Sequence, residues 1–244
     1  MPENFKNNLI DIFVKNGLSE YINEKSIEKF EFLYKKLILT NEKFNLTAVK
    51  DEKGVILKHF ADSLLICKYI PNNARVIDIG CGAGFPSLPL AIVRQDIKIL
   101  AMDSTAKKVD YVNECAKEME FKNVEAVCER AEILANNIKY REKFDVSTAR
   151  AVAPLSVLAE LCIPFVKKSG CFVAMKAQNS DEEERQASNM VKLLGCEKSF
   201  SQEIILTDGT DNMTRRIVCY TKIALTDNKY PRSYAQIVKQ KMQM

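Results

Sequence analysis

Residues 74–86 read Ala-Arg-Val-Ile-Asp-Ile-Gly-Cys-Gly-Ala-Gly-Phe-Pro. A short apolar run ends at Asp78, and three glycines follow at every second position, Gly80, Gly82 and Gly84. A short, largely apolar run closed by glycine is the pattern of a strand covered on both faces. Glycine lets the chain turn tightly and lets backbone come close to a ligand. Pro86 and Pro89 come next, at the head of an apolar stretch. Proline suits the first helical position because its missing N–H would be unpaired there anyway. The stretch therefore predicts strand, glycine loop and helix, with free N–H groups at the helix start able to face an anionic group. The spacing is G-x-G-x-G, which departs from the G-x-G-x-x-G of dinucleotide folds.

Downstream the same texture repeats. KILAMD, NVEAVC, KFDVSTA and GCFVAMK read as further short buried strands. Between them FPSLPLAIVRQ, TAKKVDYVNECAKEME, PLSVLAELCIPFV and SDEEERQASNMVKLLG read as helices. Regular alternation of this kind predicts an α/β fold, a mostly parallel sheet with helices on both faces. The last part differs: EIILTDGTDNMTRRIVCYTKI reads as two strands around an Asp-Gly loop, a hairpin that reverses the final strand. Asp103 closes the second strand, placed to accept hydrogen bonds from ribose hydroxyls.

Upstream, residues 1–70 read as a small helical segment. Phe30, Leu33, Leu37 and Ile38 recur at helical spacing, and VILKHFADSLLICKYI stops before Pro71. Three regions are expected: a helical segment 1–70, an α/β domain 71–225, and a basic C-terminal tail 226–244. From Arg215 to the end, seven basic residues face only Asp227. Such asymmetry fits a polyanionic partner as well as a solvated tail. No apolar run reaches the roughly 20 residues that span a bilayer, and the first residues lack a secretory pattern. A cytoplasmic monomer without a membrane role is expected. The eight cysteines form no C-x-x-C pair and His59 is the only histidine, so no metal site is expected. Apolar neighbours make most of the cysteines small core residues of a reducing compartment.

Two features resemble class I S-adenosylmethionine methyltransferases: a third glycine abutting Phe85, and a Rossmann-like sheet ending in a reversed strand. That resemblance makes S-adenosyl-L-methionine the expected cofactor. It implies contacts at Gly80, Gly82, Gly84 and Phe85, with Asp103 on the ribose. The turn Cys128-Glu129-Arg130-Ala131-Glu132 would border the adenine.

A narrower resemblance rests on several segments. They are Asn45-Leu46-Thr47-Ala48, His59-Phe60-Ala61-Asp62-Ser63-Leu64, the loop 78–86, Asp103-Ser104 and Arg130-Ala131-Glu132. Thr148-Ala149-Arg150-Ala151-Val152-Ala153, Lys176 and Tyr230-Pro231-Arg232 complete the set. The chain resembles the 16S rRNA guanine-N7 methyltransferase family, RsmG, also called GidB. The resemblance implies methylation of one guanine N7 in the small-subunit rRNA, position 527 in the usual rRNA numbering. It carries cofactor contacts onto Gly80, Phe85, Ala131, Glu132 and Arg150. Cys81 and Ser87 depart from the small residues expected in the loop, and Ser233–Lys239 lacks the expected Gly-x-Pro pattern.

Guanine N7 has an in-plane lone pair and no proton, so attack on a sulfonium methyl group needs positioning more than a base. The methylated ring becomes cationic, which places Arg150 beside the cofactor, O6 or a phosphate and not at N7. His59 and Asp62, three residues apart, share a helix face and could border the target pocket. Lys107 and Lys108 sit early in a helix, where cations oppose its dipole, and with Lys176 and Arg232 they are the candidate RNA contacts. Two other readings stand beside this one. One is a methyltransferase for a small molecule or protein, the other a non-catalytic rRNA-binding assembly factor.

Overall fold

The computed structural model describes residues 3–150, 153–177 and 181–241. The N-terminal helices are α1 (Glu3–Lys15), α2 (Glu24–Asn41), α3 (Glu52–Val55) and α4 (Asp62–Leu64). A π-helical turn, Ile56–Ala61, joins the last two. Phe5, Leu9, Ile12 and Phe13 make the buried stripe of α1, spaced as one helix face. Asn23 and Ser26 cap α2 reciprocally: Ser26 N donates to Asn23 Oδ1 at 3.0 Å, and Asn23 N donates to Ser26 Oγ at 2.9 Å. Phe30 of α2 then bridges Phe13 and Phe60, with ring centres 5.3 and 5.0 Å away.

The α/β part runs β1 (Arg75–Ile79), α5 (Ser87–Val93), β2 (Lys98–Asp103), α6 (Ala106–Glu118), β3 (Val124–Cys128), α7 (Ala131–Leu134), β4 (Phe144–Arg150), α8 (Leu155–Cys162) and β5 (Val166–Ala177). It continues α9 (Asp181–Leu193), β6 (Cys196–Thr207), β7 (Asn212–Lys222) and α10 (Tyr234–Lys241). Among the described residues the strands form one sheet in the order β3-β2-β1-β4-β5-β7-β6. β1 to β5 pair in parallel, and β7 runs antiparallel between β5 and β6. The reversed strand expected from the Asp-Gly hairpin is thus an inserted strand.

Side chains alternate between two cores. Val76 faces the N-terminal helices, α5 and α6, whereas Ile77 and Ile79 face α8 and α9. The helical segment therefore covers one face of the sheet. Two boundaries differ from the sequence reading. The helix before β5 ends at Cys162 because Pro164 disfavours helix at the residue before it, and Val166 already opens the strand. β6 starts at Cys196, since its polar first half is the exposed edge of the sheet.

The basic C-terminal region packs against the domain over residues 226–239. Thr226, Tyr230 and Ile237 are buried, and α10 lies against α8. Ala151 and Val152 of the 148–153 segment lie outside the described residues. No helix among the described residues is long and apolar enough to cross a membrane.

Candidate active site

The carboxyl ends of β1, β2 and β4 open into a cleft of about 620 Å³. That is the crevice where open α/β sheets hold ligands, and its volume suits a small organic molecule. The glycine loop forms its floor, Asp103 and Glu132 flank it, and Thr47, His59 and Arg150 form the wall shared with the helical segment. A second hollow of the same volume, between α9 and β6, shares no residue with the glycine loop.

The loop needs its glycines. Gly80, Gly82 and Gly84 have φ of 71°, 57° and 83°, values that other residues rarely adopt. A Cβ on Gly84 would meet Leu88 Cδ1 at 2.6 Å, whereas one on Gly82 would meet nothing within 4 Å. Gly82 therefore faces open cleft space. Asp103 braces the loop: its Oδ2 accepts from Gly82 N at 3.1 Å and its Oδ1 from Thr105 N at 2.9 Å. A carboxylate offers about four acceptor positions, so Asp103 retains capacity toward ligand hydroxyls in the cleft it lines. Asp78 sits below the loop. Its Oδ2 accepts from Ser87 Oγ at 2.6 Å, while Oδ1 is buried without a partner among the described residues. Burial raises its pKa to about 6, against the pull of Ser87 and Arg150.

The wall opposite is a connected cluster. Arg150 Nη1 donates to Lys58 O at 2.8 Å and to Asp62 Oδ2 at 3.0 Å, and Nη2 meets His59 Nδ1 at 3.3 Å. The π turn brings Lys58 O, His59 and Asp62 to one guanidinium; such turns recur at functional sites. His59 stacks on Phe85 at 4.6 Å with 9° between the planes. Arg150 lies over the same ring at 5.5 Å. Burial, with Arg150 beside it, lowers the His59 pKa to about 3, so the ring is neutral at pH 7. Asp62 is 1% exposed and also accepts from Arg215 Nε at 3.0 Å. The structure thus brings the three expected catalytic residues together, but Asp62 works from behind, holding two arginines.

Of the remaining cofactor positions, Ala131 and Glu132 border the cleft, and Arg130 donates to Glu132 Oε1 at 2.6 Å. The four expected RNA cations divide. Lys108 faces Asp103 Oδ2 at 3.6 Å at the cleft edge, and Lys107 lies 4.9 Å over the ring of Phe44. Lys176 is drawn inward, to Glu183 at 2.7 Å and Ala153 O at 3.1 Å. Arg232 clasps Glu160, which is fully buried, so its cation serves the fold. The sequence cannot show the second pairing, which joins residues 72 positions apart, whereas Glu183 lies in α9, the next element after the strand that carries Lys176.

Two cleft residues, Thr47 and Tyr234, and Arg215 behind the cleft wall carried no site role in the sequence reading. Thr47 touches His59 at 2.8 Å; its place in the Asn45–Ala48 motif was the available signal. Arg215 looked like part of the C-terminal charge excess. Tyr234 of α10 reaches the cleft mouth, its ring 5.2 Å from the Arg130 guanidinium.

The sheet order, the inserted antiparallel strand and a glycine-loop cleft define the class I methyltransferase fold. The solved structure of M. jannaschii TYW2 in complex with AdoMet has a TM-score of 0.55 at 13% identity, covering 72% of this chain and 80% of that one. The [4+2]-cyclase SpnF reaches 0.52 at 16% identity, covering 67% and 82%. A cyclase on the same frame shows that the fold alone does not decide the reaction. Sequence comparison narrows it. A family model described as rRNA small subunit methyltransferase G matches residues 26–209. Ribosomal RNA small subunit methyltransferase G of Acetivibrio thermocellus is 40% identical over 219 residues, 89% of each chain. The protein of that name from Lysinibacillus sphaericus is 40% identical over 225 residues, 91% of this chain and 93% of its own. This chain belongs to the rRNA small subunit methyltransferase G family.

Proposed function

We propose that this protein methylates N7 of a single guanine of 16S rRNA, position 527 in the usual numbering, with S-adenosyl-L-methionine as methyl donor. The observation that carries the reading is the match to the methyltransferase G family over most of the chain, with the cleft built from its motif residues. When bound, the cofactor supplies an electrophilic methyl group. Gly80 and Gly82 let the backbone come close to it, while Gly84 packs its open side on Leu88; Asp103 accepts from its ribose, and Ala131 and Glu132 border its base.

The site residues suit a nucleophile that has no proton to lose. His59 is neutral and stacked, and Asp62 is occupied by Arg150 and Arg215. What the wall offers is a rigid edge, and fixing two reactants in near-attack geometry lowers a barrier by roughly 7–11 kcal/mol. Asp62 also offsets the Arg150 charge close to where a cationic product forms. Lys107 and Lys108 meet phosphates at the rim. The enzyme acts in the cytoplasm, as a monomer, on rRNA or the small subunit.

The test is nucleoside analysis of 16S rRNA from cells that lack the gene. One 7-methylguanosine should disappear, and a plasmid copy should restore it where Arg150→Ala does not. Unchanged rRNA in the deletion strain would refute the proposal.

A further inference from the structure

Thr47 lines the cleft with His59 and Phe85. Val49 N donates to its hydroxyl oxygen at 3.1 Å, and His59 Nε2 lies 2.8 Å away. Arg150 sets the direction of that second bond. A guanidinium has only donors, and Arg150 Nη2 points at His59 Nδ1. Nδ1 is therefore the bare nitrogen. Arg150 Nη1 donates to the Lys58 carbonyl at 2.8 Å, which fixes the guanidinium against this edge of the ring. A neutral imidazole with a bare Nδ1 carries its proton on Nε2, so His59 donates to Thr47. Both lone pairs of the Thr47 oxygen are then filled. Its hydroxyl hydrogen has no acceptor among the described residues.

An ordinary threonine hydroxyl both donates and accepts and tolerates either exocyclic group of a purine. This one can only donate. Beside N7, guanine presents the acceptor O6, whereas adenine presents an amino donor. We infer that Thr47 selects guanine over adenine at the target position by donating its hydroxyl to O6, an inference that rests on the methyl-transfer proposal above. The donors run in series from Arg150 through His59 to Thr47, each polarising the next. Adenine would set its N6–H against an oxygen with no free lone pair.

The test is single-turnover methyl transfer to small-subunit RNA carrying guanine, inosine or 2-aminopurine at the target position. All three bases keep N7, but only guanine and inosine carry O6. Wild type and Thr47→Ser should prefer the two oxygen-bearing bases by roughly 10- to 100-fold. Thr47→Val should methylate all three at one similar, reduced rate. A valine variant that slows all three bases in equal proportion, keeping the wild-type preference, would overturn the inference and leave Thr47 a brace for the loop. So would a wild-type enzyme indifferent to the 6-oxygen, whether or not the valine variant folds. No transfer by wild type to guanine-bearing RNA would instead refute the methyl-transfer proposal, and this inference with it.

Discussion

Replacing Arg232 with alanine separates two roles for a residue of the basic C-terminal stretch. Glu160 Oε1 accepts from Arg232 N and Nε, both at 2.8 Å, and Oε2 accepts from Nη2 at 2.5 Å. Alanine would leave the buried carboxylate only the backbone donor. Removing one partner of a buried ion pair costs about 3–5 kcal/mol. Water reaches the Arg232 side chain, which is 26% exposed, so about 2–4 kcal/mol is expected here. In a domain of this size that lowers Tm by roughly 5–15 °C. The chain has no tryptophan, so circular dichroism is the suitable probe of the melt. RNA binding should keep its dependence on salt. Adding Glu160→Gln to the variant should recover part of the loss, because the stranded charge is removed. A variant that melts like wild type, yet binds RNA with a salt slope lower by about one, would place Arg232 on the RNA and refute the structural role.

Gly82 and Gly84 should fail differently. Gly84→Ala drives a methyl into Leu88 in a left-handed backbone and should cost about 2–4 kcal/mol of stability, read by denaturant unfolding. Gly82→Ala meets open space; it should lose only about 1–2 kcal/mol but weaken cofactor binding by calorimetry, and unchanged affinity would remove Gly82 from the binding surface. Asp62→Asn strips the charge that holds Arg150 and Arg215. It should cost about 2–3 kcal/mol and slow single-turnover transfer at least about tenfold, whereas normal turnover would show that Arg150 needs no such anchor. Two buried groups oppose each other with pH. His59, lowered to about 3 from 6.5, contributes stability that is lost as pH falls below 6.5. Asp78, raised to about 6 from 3.8, contributes stability that is lost as pH rises through 6. Between about pH 4 and 6 the two slopes cancel, each about 1.4 kcal/mol per unit. Asp78→Asn removes one of them, so its stability should fall with acid more steeply than wild type by that amount. Parallel curves would mean that Asp78 is ionised throughout this range.

Local features of the chain were legible. The apolar strands, the glycine loop and Asp103 lie within 30 residues of one another, and their order implies a βαβ unit whose ligand edge is known in advance. The Asp-Gly turn likewise implied a reversed strand, but its insertion between β5 and β6 depends on edge pairing far along the chain. The site wall was half visible. His59 and Asp62 share a helix face by spacing, yet their meeting with Arg150 and Arg215 joins residues 88 to 153 positions apart. The ion pairs of Lys176 and Arg232 were not legible. Their motif places marked them as candidate RNA contacts, and only packing reveals that Glu183 and Glu160 pair with them.

The most direct test of the central claim is transfer of a labelled methyl group. Purified protein, labelled S-adenosylmethionine, and small-subunit rRNA or subunits from cells lacking the gene are incubated together. The labelled nucleotide is then mapped. Label on N7 of one guanine, position 527, is the result the account requires. Cofactor binding with no label in either substrate, or label on another atom or base, would contradict it.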